Sequence, residues 1–250
     1  VAVEDVSFTV RAGEIFGIAG VAGNGQNALL DALSGEVLGE DREAITLDGH
    51  PLGLLNTTGR RKFGLCAVPE ERNGHAAVAD FTLADNSVLT ARDRLKMVVG
   101  GLIDSGAART YTGKVIADFA VKALGPQSMA GSLSGGNLQK YIMGREILQR
   151  PSVLVVSQPT WGVDAGAAAA IRQALVDLAA EGSAIVIISQ DLDELLELCD
   201  TLAVINEGRL SETLKVGEAS IEEIGLLMGG VHGMAGEVRI EAGGGVAVQD

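Results

Sequence analysis

The sequence predicts an α/β fold, an open and largely parallel sheet with helices on both faces. Three observations point there. Val153-Leu-Val-Val156 and Ile185-Val-Ile-Ile188 are short uncharged aliphatic runs, as central strands buried on both faces require. Strand, helix and strand alternate over 152–157, 165–181 and 184–189, the pattern of crossovers between parallel strands. The 250 residues suffice to bury a full core. Although 47% are hydrophobic and mean hydropathy is +0.27, no apolar run approaches the ~18–20 residues that span a bilayer.

Residues 1–19 alternate apolar and polar, with Val6, Phe8 and Val10 on one face, so Val1 falls within a strand-like segment, as in a piece of something longer. A turn at Ala12-Gly13 leads into a buried strand from Glu14 to Ala19. After a glycine-rich loop, Gln26 to Leu33 has helical spacing and ends near Ser34-Gly35. Ile45 to Gly49 reads as strand then turn, because Asp-Gly is a strong turn signal. Leu65 to Val68 is a short strand closed by Pro69. Residues 73–132 change character, with helical segments, Gly100-Gly101 and no buried strand. They read as an inserted helical subdomain, about 75–145 once the helix after Ser134 is included. That helix is expected to stop at Arg150, since Pro151 disfavours helix at the residue before it. Gly182 fits the C′ position after helix 165–181. Asp191-x-x-Glu194 resembles a capping box for a helix through Leu198. A last strand, Thr201 to Ile205, meets the Asn206-Glu-Gly208 turn. The tail from Gly229, with Gly243-Gly-Gly245, reads as a flexible end.

A net charge of −14, a pI near 4.6 and 3% aromatics argue against a nucleic-acid surface, which needs clustered cations and stacking rings. Cys66 and Cys199 lie far apart on core elements and read as reduced thiols, which fits the cytosol. His50, His75 and His232 lack metal-ligand spacing and read as surface or turn residues; no metal site is expected.

In open α/β sheets ligands bind beyond the carboxyl ends of the strands. Gly20–Gln26, Ser157-Gln158 and Ser189-Gln190 all lie at such ends and are expected to converge. The glycines of Gly20-Val-Ala-Gly23-Asn24-Gly25-Gln26-Asn27 match a phosphate-binding loop, whose backbone N–H groups form an anion nest. Its charged part is missing. Gln26 stands where lysine meets phosphates, and Asn27 where a hydroxyl holds Mg²⁺. Downstream, Leu133-Ser134-Gly135-Gly136-Asn137-Leu-Gln-Lys140 opens a helix toward an anion.

Together these motifs resemble the ATP-binding domains of ABC transporters, over residues 1 to about 228. More narrowly the chain is similar to the second, degenerate ATPase domain of fused sugar or nucleoside importers. That match rests on Gly13-Glu-Ile…Gly17-Ile-Ala-Gly20, Pro69-Glu70-Glu71-Arg72, Leu133 to Asn137, and Ile221 to Met228. The resemblance implies a P-loop NTPase (RecA-like) core, about 1–74 and 146–228, with an antiparallel β region and the helical subdomain. It implies that Ser157 replaces the magnesium-holding aspartate, Gln158 the catalytic glutamate, and Gln190 the histidine that senses the γ-phosphate. ATP would bind weakly or not at all in the chain's own site, and a Mg²⁺ requirement stays open. Ser134, Gly135, Gly136 and Asn137 would complete the ATP site of a partner domain, coupled through Asp164. Glu70, Glu71 and Arg72 would face nucleotide and permease, with a solvated charge cluster as the alternative. The implied partners are an N-terminal ABC domain of the same longer chain and membrane permease subunits, with no nucleic acid. The implied place is the cytoplasmic face of the membrane. The family's adenine-stacking aromatic has no counterpart here, because Phe8 reads as core. Trp161 reads equally as an interface or a core residue. Two rival readings remain open: an active ATPase using Asp164 or Asp191 as substitute carboxylate, and a soluble interaction module.

Overall fold

Strand β1 (Ile15–Ala19) is buried along its whole length because it lies in the middle of the sheet, between β8 (Ala184–Ser189) and β9 (Thr201–Asn206). The structure is a computed structural model describing residues 1–230. After β1 come helix α1 (Gln26–Ser34), the small hairpin β2 (Thr46–Leu47) and β3 (His50–Pro51), α2 (Thr57–Phe63) and β4 (Leu65–Val68). The next stretch holds α3 (Leu83–Ala91), the hairpin β5 (Val98–Val99) and β6 (Leu102–Ile103), α4 (Ser105–Asp118) and a 3-10 turn over Ala130–Ser132. Helix α5 (Gly135–Ile147), β7 (Val153–Ser157) and α6 (Ala165–Ala180) lead into β8, followed by α7 (Leu192–Leu198) and β9. Strands β10 (Arg209–Leu210) and β11 (Leu214–Lys215) and helix α8 (Ile221–Met228) complete the order.

The sheet runs β10-β9-β1-β8-β7-β4, with β11 also paired to β9. The five central strands are parallel; β10 and β11 run antiparallel to β9 and, with the β2–β3 hairpin, supply the antiparallel region. Successive side chains of each strand point to opposite faces. Ile15, Val156, Ile185 and Leu202 therefore pack under α5, α6 and α7, while Phe16, Val155, Val186 and Ala203 pack under α1. Gly17 carries no side chain because a Cβ there would stand 2.9 Å from Cys199 Sγ.

The helical insertion is tied together by polar bonds in its interior. Ser87 Oγ on α3 lies 2.8 Å from Thr112 Oγ1 on α4 and 2.9 Å from the Tyr141 hydroxyl on α5, which donates to Leu83 O at 2.6 Å. Helix α5 leaves the insertion at its far end. There Glu146, fully buried, receives Arg61 Nη1 at 2.7 Å, Arg145 Nε at 2.8 Å and Gln149 Nε2 at 3.0 Å. Burial opposes its ionisation, but the two guanidinium groups hold it below the usual carboxylate range.

Four expectations need correction or completion. Residues 1–10 form no strand: Phe8 stacks on Phe16 at 5.1 Å, but the segment joins no sheet ladder. Alternation reports the buried face, whereas a strand also needs a backbone partner. Helix α5 ends at Ile147, three residues before Arg150. The chain tightens there, with Gln149 N donating to Glu146 O and Arg150 N to Ile147 O, and Arg150 takes φ +50° ahead of Pro151. Gly100 (φ +59°) and Gly101 (φ +82°) form the two-residue turn of the β5–β6 hairpin, which exposes Val98, Val99, Leu102 and Ile103. Asp191 caps α7 by accepting Glu194 N at 3.2 Å, but the Glu194 side chain turns elsewhere, so the capping box is only half built.

Cys66 and Cys199 are free and buried, and burial pushes their thiols up to about 11 and about 12. His50 is exposed on β3, and His75 is exposed with Nε2 2.7 Å from Glu36 Oε2. His232 and most of the glycine-rich tail lie outside the described residues. Among the described residues, no helix is long and apolar enough to cross a membrane.

Candidate functional site

The loop from β1 to α1 is shaped by close approach. A Cβ on Gly20 would lie 2.6 Å from Ile205 O, and Gly25 takes φ +109°. Gln26 is buried at the start of α1 and folds back over its own loop. Its Oε1 accepts Asn24 N at 3.0 Å and its Nε2 donates to Val21 O at 2.8 Å. Asn24 is tied in turn to the β9–β10 turn: Gly208 N donates to Asn24 O at 2.9 Å and Glu207 N to Asn24 Oδ1 at 3.1 Å. Asn27 is exposed and lines a cleft of about 610 Å³ with Asp31, Glu70, Glu71, Arg72 and Trp161. A larger cavity of about 1300 Å³ reaches Pro151, Ser152 and Ser183, near the opposite ends of β7 and β8.

Strands β1, β8 and β7 are neighbours, so the loop, Ser157-Gln158 and Ser189-Gln190 emerge from one edge, as expected. Ser157 and Gln158 are buried, whereas Gln190 is exposed. Gln158 sits at φ +52°, its N–H donating to Ile188 O at 2.8 Å and its Oε1 lying 3.4 Å from Ser189 Oγ. The carboxylate beside this pair is Glu194. Its Oε2 lies 3.1 Å from Ser189 Oγ, and its Oε1 accepts the Thr160 hydroxyl at 2.5 Å. Burial raises its pKa, and the two hydroxyl bonds oppose the rise. Sequence spacing assigned Glu194 to a capping box; only the pairing of two strand ends reveals its place. Asp164 and Asp191 are both engaged as helix caps. Asp164 accepts Ala167 N at 2.9 Å, and that bond holds its carboxyl low.

At the other end of the site, Ser134 is the N-cap residue of α5, and Asn137 Nδ2 donates to Ser134 Oγ at 2.9 Å. Asn137 Oδ1 accepts Lys122 N at 2.8 Å, which fixes the amide orientation and leaves the Ser134 proton free to donate. Helices α2, α3, α4, α6, α7 and α8 each carry a side-chain cap at the N-terminus. Helices α1 and α5 carry none. The start of α5 abuts the loop after β7: a Cβ on Gly136 would lie 3.5 Å from Gly162 O. Arg72 reaches the same place, donating Nη2 to Trp161 O. Glu70–Arg72, Gly135-Gly136 and Trp161–Asp164 are thus neighbours. Trp161 itself is 65% exposed, which rules out core packing.

With this geometry in hand, the match of residues 3–161 to the family model described as "ABC transporter" decides the family. The chain is an ABC transporter ATP-binding domain. This ABC domain is 36% identical over 241 residues to the guanosine import ATP-binding protein NupO of Bacillus subtilis, covering 96% of the chain and 46% of that protein. It is 37% identical over 231 residues to the glucose import ATP-binding protein TsgD13 of Haloferax volcanii, covering 92% and 42%. The ABC domain therefore spans a little under half the length of these relatives. Its fold matches the solved ATP-binding subunit of an ABC transporter with TM-score 0.72 at 21% identity, over 91% of this chain and 93% of the other. It also matches the dimeric cassette MJ0796 bound to ADP and Pi, with TM-score 0.72 at 18% identity over 86% and 90%.

Proposed function

We propose that this ABC domain is the non-hydrolysing half of a pair of ATP-binding domains that energise sugar or nucleoside import. Its signature, Ser134, Gly135, Gly136 and Asn137, closes on ATP held by the partner. The observation that carries the reading is the contrast between the two uncapped helices. At α1 one donor of the loop, Asn24 N–H, is already taken by the chain's own Gln26 Oε1. At α5 the first-turn donors have no side-chain cap and stay available to an external anion.

The residues at the chain's own crevice do not suit Mg²⁺·ATP. Gln26 offers no cation, Asn27 no hydroxyl and Ser157 no carboxylate. Loss of a general base alone costs ~10²–10⁴ in rate, and lost metal ligands forfeit several kcal/mol more. Phosphoryl transfer rests almost entirely on such groups. The capping roles of Asp164 and Asp191 speak against either as a substitute base.

The relatives, named as import ATP-binding proteins and about twice as long, support a partner ABC domain in the same longer chain. They also support permease subunits as membrane partners, which would place the domain at the cytoplasmic face. The test is Ser134→Arg in the paired assembly. ATPase activity is expected to fall about 10²-fold, the scale of losing one donor at a developing oxyanion. Unchanged activity would remove the signature from the mechanism.

A further inference from the structure

We propose that Arg72 is a positioning residue for the ATP site that Ser134–Gly136 complete, joining the loop at Glu70–Arg72 to the signature through the loop after β7. The proposal rests on the reading of the signature given above.

Three observations place the guanidinium. Arg72 Nη2 donates to the backbone carbonyl of Trp161. A Cβ on Gly162 would stand 2.9 Å from Nη2, and a Cβ on Gly135 would stand 2.9 Å from Nη1. The fork is thus seated between the first residue of α5 and the loop beyond β7, and both walls are glycine, where a Cβ would force the guanidinium to shift. Arg72 is also anchored on its own side, because its carbonyl accepts Ala77 N at 2.8 Å.

The same loop is held from the helix side by Gln139 on α5. Its Nε2 donates to Pro159 O at 2.8 Å and lies 3.4 Å from Gln158 O, while Trp161 N donates to Gln158 O at 3.2 Å. Two side chains therefore hold carbonyls of the Gln158–Trp161 turn, Gln139 from α5 at Pro159 and Arg72 from the 69–77 loop at Trp161. The turn keeps this scaffold although its Ser157-Gln158 pair carries no catalytic carboxylate. Displacing residues 70–72 would move a guanidinium that lies beside Gly135. Lysine is not an equivalent replacement, because its ammonium lacks the planar fork that aims Nη2 at Trp161 O while Nη1 lies beside Gly135.

The test compares Arg72→Met, Arg72→Lys and Ser134→Arg in the paired assembly, measuring kcat and KM for ATP. On the proposed reading the nucleotide sits on the partner's loop, so Arg72→Met is expected to lower kcat by roughly 10- to 100-fold with KM unchanged, the scale of a sub-ångström to ångström misplacement. Arg72→Lys, which keeps the charge and stem, is expected to recover only part of the rate. Melting temperature controls for folding: a loss of kcat by Arg72→Lys at wild-type melting temperature supports positioning. Wild-type kcat in both Arg72 variants, with Ser134→Arg inactive, overturns the role of Arg72 alone. Full activity in Ser134→Arg overturns the underlying reading instead.

Discussion

Gln26 Oε1 accepts the backbone N–H of Asn24 at 3.0 Å, closing a ring inside the loop that joins β1 to α1. An external anion would have to compete with this amide oxygen for the Asn24 N–H. Calorimetric titration of the chain with ATP is expected to give only weak binding. Gln26→Lys removes the internal acceptor and adds a cation. A hydrogen bond to a charged group contributes ~1.5–3 kcal/mol, so affinity is expected to rise by roughly 10- to 100-fold. Phosphate release should remain at background, because Ser157 and Gln158 are unchanged. Equal binding by both proteins would mean that the ring does not close the nest.

Glu146 is buried between Arg61 and Arg145. Glu146→Gln leaves both cations without a counter-charge and is expected to cost ~3–5 kcal/mol, read as a fall in urea midpoint. The sign with pH follows from its lowered pKa. The wild-type pair contributes fully above the ordinary carboxylate pKa and loses that contribution as pH falls through the folded value. The stability gap between wild type and Glu146→Gln should therefore narrow in acid. A gap independent of pH would show that the ion pairs are not its source.

Glu194 has the opposite sign. Its raised pKa means that folding favours the protonated form, so its contribution is full below the unfolded value and is lost as pH rises through the folded one. Glu194→Gln keeps an oxygen for the Thr160 hydroxyl and removes the charge. The variant is expected to match wild type near pH 4 and to melt higher near pH 8. The reverse ordering at pH 8 would place a stabilising charge at this position.

Two helical glycines separate packing from propensity. A Cβ on Gly144 in α5 would stand 2.5 Å from Phe119 Cδ2, so Gly144→Ala is expected to destabilise by ~1–3 kcal/mol. Gly113 in α4 has nothing within 4 Å of a built Cβ, so Gly113→Ala is expected to stabilise by ~0.5–1 kcal/mol. Thermal melts of the two variants should shift in opposite directions.

Strands β1, β4, β7, β8 and β9 were readable within a residue or two, because each is a buried aliphatic run between strong breakers. The site's ends were readable for the same reason, since the loops after β1, β7 and β8 follow from strand order. Side-chain direction was not. That residue 26 is glutamine is plain from spacing, but that its amide turns inward depends on Val21 and Asn24 presenting a carbonyl and an N–H together. Glu194 was misassigned because a local capping pattern is satisfied by Asp191 alone, leaving the longer side chain for Thr160 and Ser189. Residues 1–10 misled because apolar alternation is shared by a strand and by an extended segment lying across a sheet face.

The buried carboxylate near the end of α5 gives that helix a fulcrum. Arg61 of α2 bonds both Glu146 and Ala67 O of β4, so this end of α5 is tied to the sheet. From Glu146 back to Gly135 the helix runs about 16 Å at 1.5 Å per residue. A tilt of about 10° around the fulcrum would then carry the signature through about 3 Å, the length of one hydrogen bond. If the signature closes on ATP as proposed, helix α5 would act as a lever arm, and that throw would be the difference between touching a phosphate oxygen and missing it.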